Sequence, residues 1–514
     1  MSWIKRADKL FSSMSKRGQK SRPGASARLS SSSGRKIALA GLGVAIVAGA
    51  ALIWHAQTPS GPRPESAALG ASQFAGSVAC AGCHAAQTSA WSGSHHQLAM
   101  QEASASSVLG DFDDAKYQYL GVESRFFRRD GKFMVRTDGP DGKLADFEIK
   151  YSFGVTPLQQ YLIEFPGGRL QALSIAWDTR PKSAGGQRWF HLYPGERITH
   201  EDPLHWTGLY QNWNLQCAAC HSTNLKKGYD AAGDTYRTTF SEINVACEAC
   251  HGPGSRHVAW ARRDRPQGDK GLVKATMNVC AACHARRSTI SEEGQPGAPL
   301  EDTHRLALLT SPSYHADGQQ REEDYTWGSF LQSKMFQRGV TCMDCHEPHA
   351  LKLRVEGNAL CVRCHDGAVF DTAKHHFHEA GTKGAQCVEC HMPAQNYMVV
   401  DPRRDHSMRI PRPDLSASLD SPNACTQCHA GRKPEWAAAA MDQRYGKKWR
   451  DRWHYGATLH AGATQGVKAL PALLALAEDP AAPPIVQATA VALAQPHVRP
   501  GDLPAARRLL TSAD

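Results

Sequence analysis

The chain lacks any marked excess of charge once its first 36 residues are set aside. Residues 1–36 contain ten Lys or Arg residues and a single acidic residue, Asp8, so this segment carries a net charge of +9. The whole chain has 59 basic and 49 acidic residues, which leaves 49 and 48 beyond residue 36 and a net charge of +1. The basic character is therefore a property of the leader, and it gives no evidence for nucleic-acid binding.

Cysteine is absent outside one repeated pentapeptide, Cys-x-x-Cys-His, and the sixteen cysteines form eight such units. An even cysteine count suits the disulfides of an exported protein, but disulfides do not require a His after every second Cys. Zinc sites use paired Cys-x-x-Cys units, and the units at Cys342 and Cys361 nearly have that spacing, but zinc does not require the adjacent His either. Covalent haem attachment has this pentapeptide as its signature. The sequence therefore predicts eight covalently bound haem c groups.

The motif assigns a role to each of its residues, because two thiols add to the vinyl groups of one porphyrin and the next imidazole binds the iron. The predicted thioether cysteines are Cys80, Cys83, Cys217, Cys220, Cys247, Cys250, Cys280, Cys283, Cys342, Cys345, Cys361, Cys364, Cys387, Cys390, Cys425 and Cys428. The predicted proximal ligands are His84, His221, His251, His284, His346, His365, His391 and His429.

The second axial position of each haem bears on function. A haem with two strong axial ligands transfers electrons, whereas an open position binds and transforms a substrate. Thirteen further His residues lie in the haem-bearing part of the chain, so coordination by His alone is available for all eight haems. His349 follows proximal His346 by three residues and His257 follows His251 by six. Residues so close in sequence are expected to bind a neighbouring haem.

Other histidines are less clearly assigned by pattern. The clusters His95-His96 and His375-His376-x-His378 are each expected to supply one ligand. His315 and His406 lie in polar, turn-rich contexts, where a lone His is as readily solvated as bound, so the pattern alone leaves both open.

An uncharged apolar segment at residues 37–54 follows the basic leader. This order predicts an export signal with the leader, residues 1–36, in the cytoplasm. The length favours an uncleaved transmembrane anchor, and a cleaved signal peptide with a site at Ala48-Gly-Ala50 is the alternative. No twin-arginine pair precedes the segment, which favours Sec-type export. Residues 55–75 are rich in Pro, Gly, Ser and Ala and predict a flexible linker.

The remaining chain divides by composition into two parts. Residues 76–430 form the predicted octahaem domain, with a β-rich insert at about 111–195 where alternating residues are separated by turn signals. Residues 431–514 contain Ala- and Leu-rich segments that recur at about twenty residues, as in helical repeats. The predicted fold is a mainly α multihaem cytochrome with low regular secondary structure, a β-rich insert and a C-terminal α-solenoid-like segment.

Eight stretches between residues 76 and 430 carry a resemblance to a known family. They are Trp91-Ser-Gly-Ser-His-His-Gln-Leu-Ala-Met100, Phe153-Gly-Val-Thr-Pro-Leu-Gln-Gln-Tyr161, His205-Trp206, Cys247-Glu-Ala-Cys-His-Gly-Pro-Gly-Ser-Arg-His257, His315-Ala-Asp-Gly-Gln319, Cys342-Met-Asp-Cys-His-Glu-Pro-His349, Cys387-Val-Glu-Cys-His-Met-Pro393 and Asp405-His-Ser-Met408. In these stretches the chain resembles multihaem c-type cytochromes of the superfamily that includes pentahaem nitrite reductase and hydroxylamine oxidoreductase. It looks most similar to exported octahaem members fused to helical repeats.

The resemblance implies a set of distal haem ligands, and it makes His304 a weaker candidate. The implied ligands are His96, His205, His257, His315, His349, His378 and His406. The chain departs from the enzymes of the superfamily, because it has no Cys-x-x-Cys-Lys unit of the nitrite reductase type, and none of its tyrosines can be matched to the cross-linked tyrosine of hydroxylamine oxidoreductase.

These observations predict electron transfer through eight haems in the periplasm, with a donor and an acceptor protein as partners. The inner membrane is the expected partner of the N-terminal segment, and a protein partner for the C-terminal helices is a further option. The alternative function is an octahaem oxidoreductase that acts on a small nitrogen or sulfur compound at one open haem site.

Overall fold

The computed structural model describes residues 72–323, 325–502, 504, 507 and 508. The chain separates into two units, Met1–Ala71 and Ser72–Asp514. The predicted leader, the apolar segment at 37–54 and nearly all of the linker lie outside the described residues. Within the described part of the chain, no helix has the length and apolar character needed to cross a membrane.

An antiparallel sheet of nine strands dominates the region between residues 100 and 191. Its hydrogen-bonded order is β2-β3-β4-β5-β6-β8-β9, with β1 paired to β5 and β7 paired to β6. The strands are β1 (Met100–Glu102), β2 (Ala115–Tyr119), β3 (Val122–Arg129), β4 (Lys132–Asp138), β5 (Leu144–Phe153), β6 (Leu158–Phe165), β7 (Arg169–Ala172), β8 (Ile175–Asp178) and β9 (Arg188–His191).

Local sequence explains the hairpins and the core of this sheet. Strands β3 and β4 are joined by Asp130 and Gly131, which both have positive φ, at 52° and 76°, as a two-residue hairpin turn of the favoured twist requires. Alternate residues point to one face, where an aromatic core forms. In that core the ring of Trp189 stacks on Phe126 with centroids 3.6 Å apart.

Short helices carry the remainder of the described chain up to residue 428. They are α1 (Ser77–Ala81), α2 (Ala85–Trp91), α3 (Trp213–Gln216), α4 (Ala218–His221), α5 (Cys247–His251), α6 (Ser255–Ala261), α7 (Met277–His284), α8 (Trp327–Phe330), α9 (Lys334–Gln337), α10 (Cys342–Cys345), α11 (Asn358–Cys361), α12 (Gly367–Phe370), α13 (Ala373–His376), α14 (Cys387–His391), α15 (Pro413–Leu419) and α16 (Ala424–Cys428).

Three two-stranded hairpins lie among these helices. They are Tyr229–Asp230 with Thr235–Tyr236, Arg287–Thr289 with His304–Leu306, and Ala394–Tyr397 with Asp401–Arg404. Four further helices follow after residue 433, and they are α17 (Pro434–Tyr445), α18 (Gly456–Gln465), α19 (Leu470–Ala477) and α20 (Pro484–Ala494). All of them except α19 are longer than any earlier helix.

The prediction of a mainly α fold is wrong, because the nine-stranded sheet is the largest regular element of the described chain. Most helices that contain attachment cysteines have only one turn and cover little more than one attachment unit. They therefore add little regular secondary structure. The predicted α-solenoid-like segment is also wrong for the described residues. Helices α18, α19 and α20 share one apolar cluster with Leu309 and Tyr314, so they pack onto the preceding region instead of stacking as an independent array.

Candidate haem-binding sites

Each attachment unit lies in or directly beside a short helix. Residues three apart lie on the same side of a helix, so one turn directs both sulfur atoms of a unit the same way. Local capping fixes these turns: Thr341 and Asp344 form a capping box at the start of α10, and the Asn423 side chain accepts from the amide of Thr426 in α16. None of the sixteen cysteines forms a disulfide.

Six of the eight predicted proximal histidines face a second histidine across a gap of nearly constant width. The rings are stacked or tilted, with interplanar angles of 13–43° and centroid distances of 6.0–6.5 Å. The pairs are His84–His257, His284–His96, His251–His349, His346–His406, His391–His375 and His429–His378.

This gap fits one haem iron. An imidazole nitrogen binds a metal ion at about 2 Å, and the ring centre lies roughly 1.1 Å behind that nitrogen, so two imidazoles on one ion have centres about 6.2 Å apart. The observed gaps are too wide for ring stacking and too narrow for an intervening side chain. Paired cysteines and opposed imidazoles therefore fit haem c in chemistry and spacing.

Backbone carbonyls orient several of these rings. The Nδ1 atoms of His257, His378, His391 and His406 each lie 2.6–2.9 Å from a carbonyl oxygen. An Nδ1–H that donates to a carbonyl fixes the tautomer and leaves Nε2 as the metal-binding atom. His221 is held in the same way, with Nδ1 3.0 Å from the carbonyl oxygen of Ala99.

Burial also favours the neutral imidazoles that bind metal ions. Burial lowers the pKa of His96 to about 4, and the charge of His284 adds to this effect. Burial likewise lowers the pKa of His251, His346 and His406. These rings are therefore uncharged near neutral pH.

The structure distributes the seven distal candidates unevenly. His96, His257, His349, His378 and His406 face a proximal histidine. The other two have no such contact among the described ring pairs. His205 lies in the sheet region, with Nε2 3.1 Å from Asp138 and Nδ1 2.8 Å from Thr207, and His315 lies in a turn whose amide donates to the carbonyl of Gln319. Both remain predictions.

Sequence reasoning missed His375, which faces His391 at 6.0 Å. It expected one ligand from the cluster that contains His375 and His378, whereas each of these rings faces a different proximal histidine. The neighbouring His376 is 8% exposed, and its Nε2 atom has no hydrogen-bond partner among the described residues. A buried unpartnered nitrogen in this cluster fits a group that binds there. The only available sequence signal was the density of histidines.

Close approach of cysteine side chains shows which units are neighbours. The pKa of one thiol responds to a thiol of another unit in four cases, Cys80 to Cys247, Cys220 to Cys283, Cys280 to Cys342 and Cys361 to Cys387. The attachment helices α1 and α5, α4 and α7, and α11 and α14 also pack against each other. Weaker electrostatic contacts join Cys250 to Cys280, Cys345 to Cys361, and Cys390 to Cys425. The resulting order starts at the His84 unit, passes through the units of His251, His284, His346, His365 and His391, and ends at His429. The His221 unit branches from His284.

His221 differs from the six paired histidines. It is partly buried, burial lowers its pKa, and its ring meets Phe153 edge to face at 5.6 Å. No histidine faces it among the described ring contacts. Side chains of both charges surround its cysteines: Arg287 donates to the Cys220 sulfur at 3.8 Å, and Arg403 pairs with Glu323, whose charge acts on Cys217.

Comparisons with known proteins agree with haem attachment. The model of the family described as cytochrome c554 and c-prime matches residues 79–118 and 199–252, and the model of the doubled CXXCH motif matches residues 334–370. No curated protein matches the chain. The motifs and these matches support haem c binding by a multihaem c-type cytochrome.

Three solved structures are similar to this chain. The outer cell wall cytochrome OcwA has 20% sequence identity and a TM-score of 0.49, over 85% of this chain and 98% of OcwA. The undecahaem cytochrome from the S-layer of Carboxydothermus ferrireducens has 18% identity and a TM-score of 0.38, over 86% and 69%. The octahaem sulfite reductase MccA of Wolinella succinogenes has 16% identity and a TM-score of 0.32, over 65% and 58%.

Proposed function

We propose that this multihaem c-type cytochrome carries eight covalent haems and transfers electrons between a donor and an acceptor protein outside the cytoplasm. The observation that carries the proposal is the set of six facing histidine pairs, with centroids 6.0–6.5 Å apart. Haem iron with two strong axial ligands accepts and releases single electrons without binding a substrate. Most sites in this chain are thus suited to conduction.

Cross-ligation supports a continuous route. His257 follows the His251 unit in sequence but faces His84, and His349 follows the His346 unit but faces His251. Each of these side chains therefore ties the attachment segment of one haem to the iron site of another. Such ties hold adjacent sites at fixed spacing, as electron transfer along a chain of haems requires.

Sequence features supply the proposed location. The basic leader and the apolar segment at residues 37–54 favour export with an N-terminal anchor in the inner membrane. Haem attachment to reduced thiols outside the cytoplasm agrees with that export. We therefore place the haem-bearing part in the periplasm.

Substitution of a missed ligand tests the proposal. Exchange of His375 for Met replaces bis-His by His/Met coordination at one haem, which raises its reduction potential. The measurement is a spectroelectrochemical titration of the haem α band, in which one component shifts to higher potential. The matched control is His200→Met, because His200 is exposed and faces no proximal histidine among the described ring contacts.

Titrations of the two variants that coincide with each other and with the unsubstituted protein would contradict the ligand assignment. A haem content well below eight per chain, measured as the pyridine haemochrome, would contradict the proposed count. Low-spin signals alone in the oxidised protein agree with a carrier.

The environment of His221 favours one second candidate function, reduction or oxidation of a small nitrogen or sulfur compound at an open haem. No histidine faces His221 in the described ring contacts, and its unit lies on a branch of the order of units. His365 also has no facing histidine there, but it is exposed and its unit lies on the route itself. A branch end is not needed for conduction between the two ends of the route. We propose it as the site where an added ligand binds.

Carbon monoxide binding to the reduced protein tests this candidate. Replacement of Cys217 and Cys220 by Ala removes that haem and should abolish the spectral change. Replacement of Cys425 and Cys428 by Ala, which removes the haem of the His429 unit, whose proximal ring faces His378, should leave the change in place. Carbon monoxide binding that survives in the first variant would locate the open site elsewhere.

A further inference from the structure

Three exposed aromatic side chains surround the last histidine pair of the order, His378 and His429. Phe377, Trp436 and Tyr445 are 40%, 38% and 43% exposed. The Trp436 ring lies 5.0 Å from the ring of His429, and Phe377 directly precedes His378 and meets Tyr445 edge to face at 5.6 Å. The aromatic patch is therefore continuous with both proposed ligands of the terminal haem.

Five exposed cations lie close to these aromatic residues in sequence: Arg432, Lys433, Arg444, Lys447 and Lys448. The guanidinium of Arg432 lies 5.6 Å from the ring centre of Trp436, and that of Arg444 lies 4.9 Å from the ring centre of Phe377. No ion pair or side-chain hydrogen bond of these five cations occurs within the described part of the chain. Their charge is therefore directed to solvent.

Positive charge is concentrated in this part of the chain. Residues 429–452 contain seven basic and three acidic residues, a net charge of +4. Residues 256–274, beside the first pair of the order, contain six basic and two acidic residues and also carry +4. Because residues 37–514 carry only +1 in total, the remainder of that range sums to −7.

We propose that Phe377, Trp436 and Tyr445, with Arg432, Lys433 and Arg444, form a docking surface for an acidic redox protein. We call it the His429 surface. Aromatic residues and Arg are enriched at the centres of protein interfaces, and complementary charge accelerates the encounter of two proteins. Helix α16, which ends in this unit, packs mainly against α14 of the His391 unit and against α17, which places this haem at an end of the route. The inference rests on the proposed electron-carrier function.

The other basic segment offers a matched comparison. Its aromatic residue, Trp260, is partly buried, and its indole nitrogen donates to the carbonyl of Pro266 at 2.9 Å. Arg262, Arg263 and Arg265 are exposed, and none makes an ion pair or a side-chain hydrogen bond among the described residues. This segment therefore has the charge of the His429 surface without its exposed aromatic cluster.

Stopped-flow reduction tests the proposal, with a reduced plant-type ferredoxin as the acidic probe protein. The test variant carries Arg432→Glu, Lys433→Glu and Arg444→Glu, and the control variant carries Arg262→Glu, Arg263→Glu and Arg265→Glu. Both exchange three positive for three negative charges. Haem reduction is followed at the α band at low and high ionic strength. A second test variant, Arg432→Gln with Lys433→Gln, guards against local misfolding, and each variant is checked for an unchanged Soret band.

At low ionic strength, we expect at least a tenfold lower second-order rate in the first test variant and less than a twofold change in the control. The glutamine variant should fall between them, and the differences should shrink at high salt. Equal slowing of test and control, or none in either, overturns the docking assignment. Full reduction of every variant by titanium(III) citrate checks the carrier function separately, because that small reductant needs no protein docking surface.

Discussion

The sheet region and the haem-bearing region of this chain are stabilised in different ways. The sheet region contains a cluster of twelve buried apolar residues, six of which are Phe or Trp. The largest described cluster that lies wholly within the haem-bearing segments contains five buried residues, two of them alanines. Instead of a large apolar core, this region has pairs of facing histidines whose separation suits a haem iron. In such a chain, a cofactor can therefore fill part of the core that apolar side chains fill elsewhere.

The largest expected effect comes from preventing haem attachment. Without porphyrin, the haem-bearing segments lose the groups that fill their interior, while the sheet keeps its own apolar core. In protein expressed without haem c maturation, we expect residues 100–192 to keep slow hydrogen exchange and residues 217–430 to exchange rapidly. The matured protein serves as the control. Loss of protection in both regions together would show that the sheet depends on the haems.

Truncation of the sheet core sharpens the same comparison. Trp189 contacts Phe112, Phe126, Tyr161 and Trp177, so Trp189→Ala should lower the free energy of unfolding by about 3–5 kcal/mol. Denaturant unfolding followed by far-UV circular dichroism measures this loss, and the haem α band should stay unchanged in native protein. The control variant is Trp453→Ala, because Trp453 is 52% exposed. It should change the free energy of unfolding by less than about 0.5 kcal/mol. Equal effects of both variants would refute the assignment of the core.

A buried carboxylate joins the start of the described chain to a haem unit. Glu248 is 1% exposed, and it accepts from the amides of Ala75, Gly76 and Gly254 at 2.7–2.8 Å. Glu248→Ala leaves these donors unpaired, which should cost about 1–3 kcal/mol. Exposed Glu293 provides the control, Glu293→Ala. Denaturant unfolding that does not separate the two variants would contradict a structural role for the carboxylate.

The smallest expected effect is a pH dependence in the sheet. Burial lowers the pKa of His191 to about 4. In the unfolded chain this imidazole binds a proton near pH 6.5, whereas in the folded chain it binds one only near pH 4. The free energy of unfolding therefore falls as the pH drops from about 6.5 to about 4. His191→Gln should retain about 1 kcal/mol that the unsubstituted protein loses between pH 7 and 5.5.

Unfolding free energies measured at several pH values check this expectation. The exposed His200→Gln variant should follow the unsubstituted protein. Parallel pH profiles for His191→Gln and the unsubstituted protein would contradict it.

Sequence patterns and tertiary contacts contributed differently to the site. The pentapeptide carries its chemistry within five residues, so motif reading assigned each cysteine and each following histidine. Facing histidines come from segments up to 188 positions apart, as in His96 and His284, and no local pattern reports such a contact. That is why His375 was missed, and why His205, which contacts Asp138, stays a prediction.

The fold shows the same division. The turn at Asp130 and Gly131 follows from local conformational preference, and it lies where the alternation on either side predicts a hairpin. The share of the fold that belongs to the sheet was underestimated. The helices around the attachment units are mostly single turns, so the haem-bearing segments contain less helix than a mainly α fold requires. The apolar spacing after residue 433 correctly predicted helices. The prediction of a repeat array was wrong, because the apolar faces of α18–α20 pack against Leu309 and Tyr314 from a distant part of the chain.

By itself, the sequence determined the predicted covalent chemistry, which is the set of cysteines expected to attach haem and the histidine that follows each pair, because those groups act within one helical turn. Only the tertiary structure decided which second histidine faces each of six sites, which units are neighbours, and which two units, those of His221 and His365, have no facing histidine among the described ring contacts. Those features depend on distances between segments remote in sequence, and such distances are set by the packing of the whole chain.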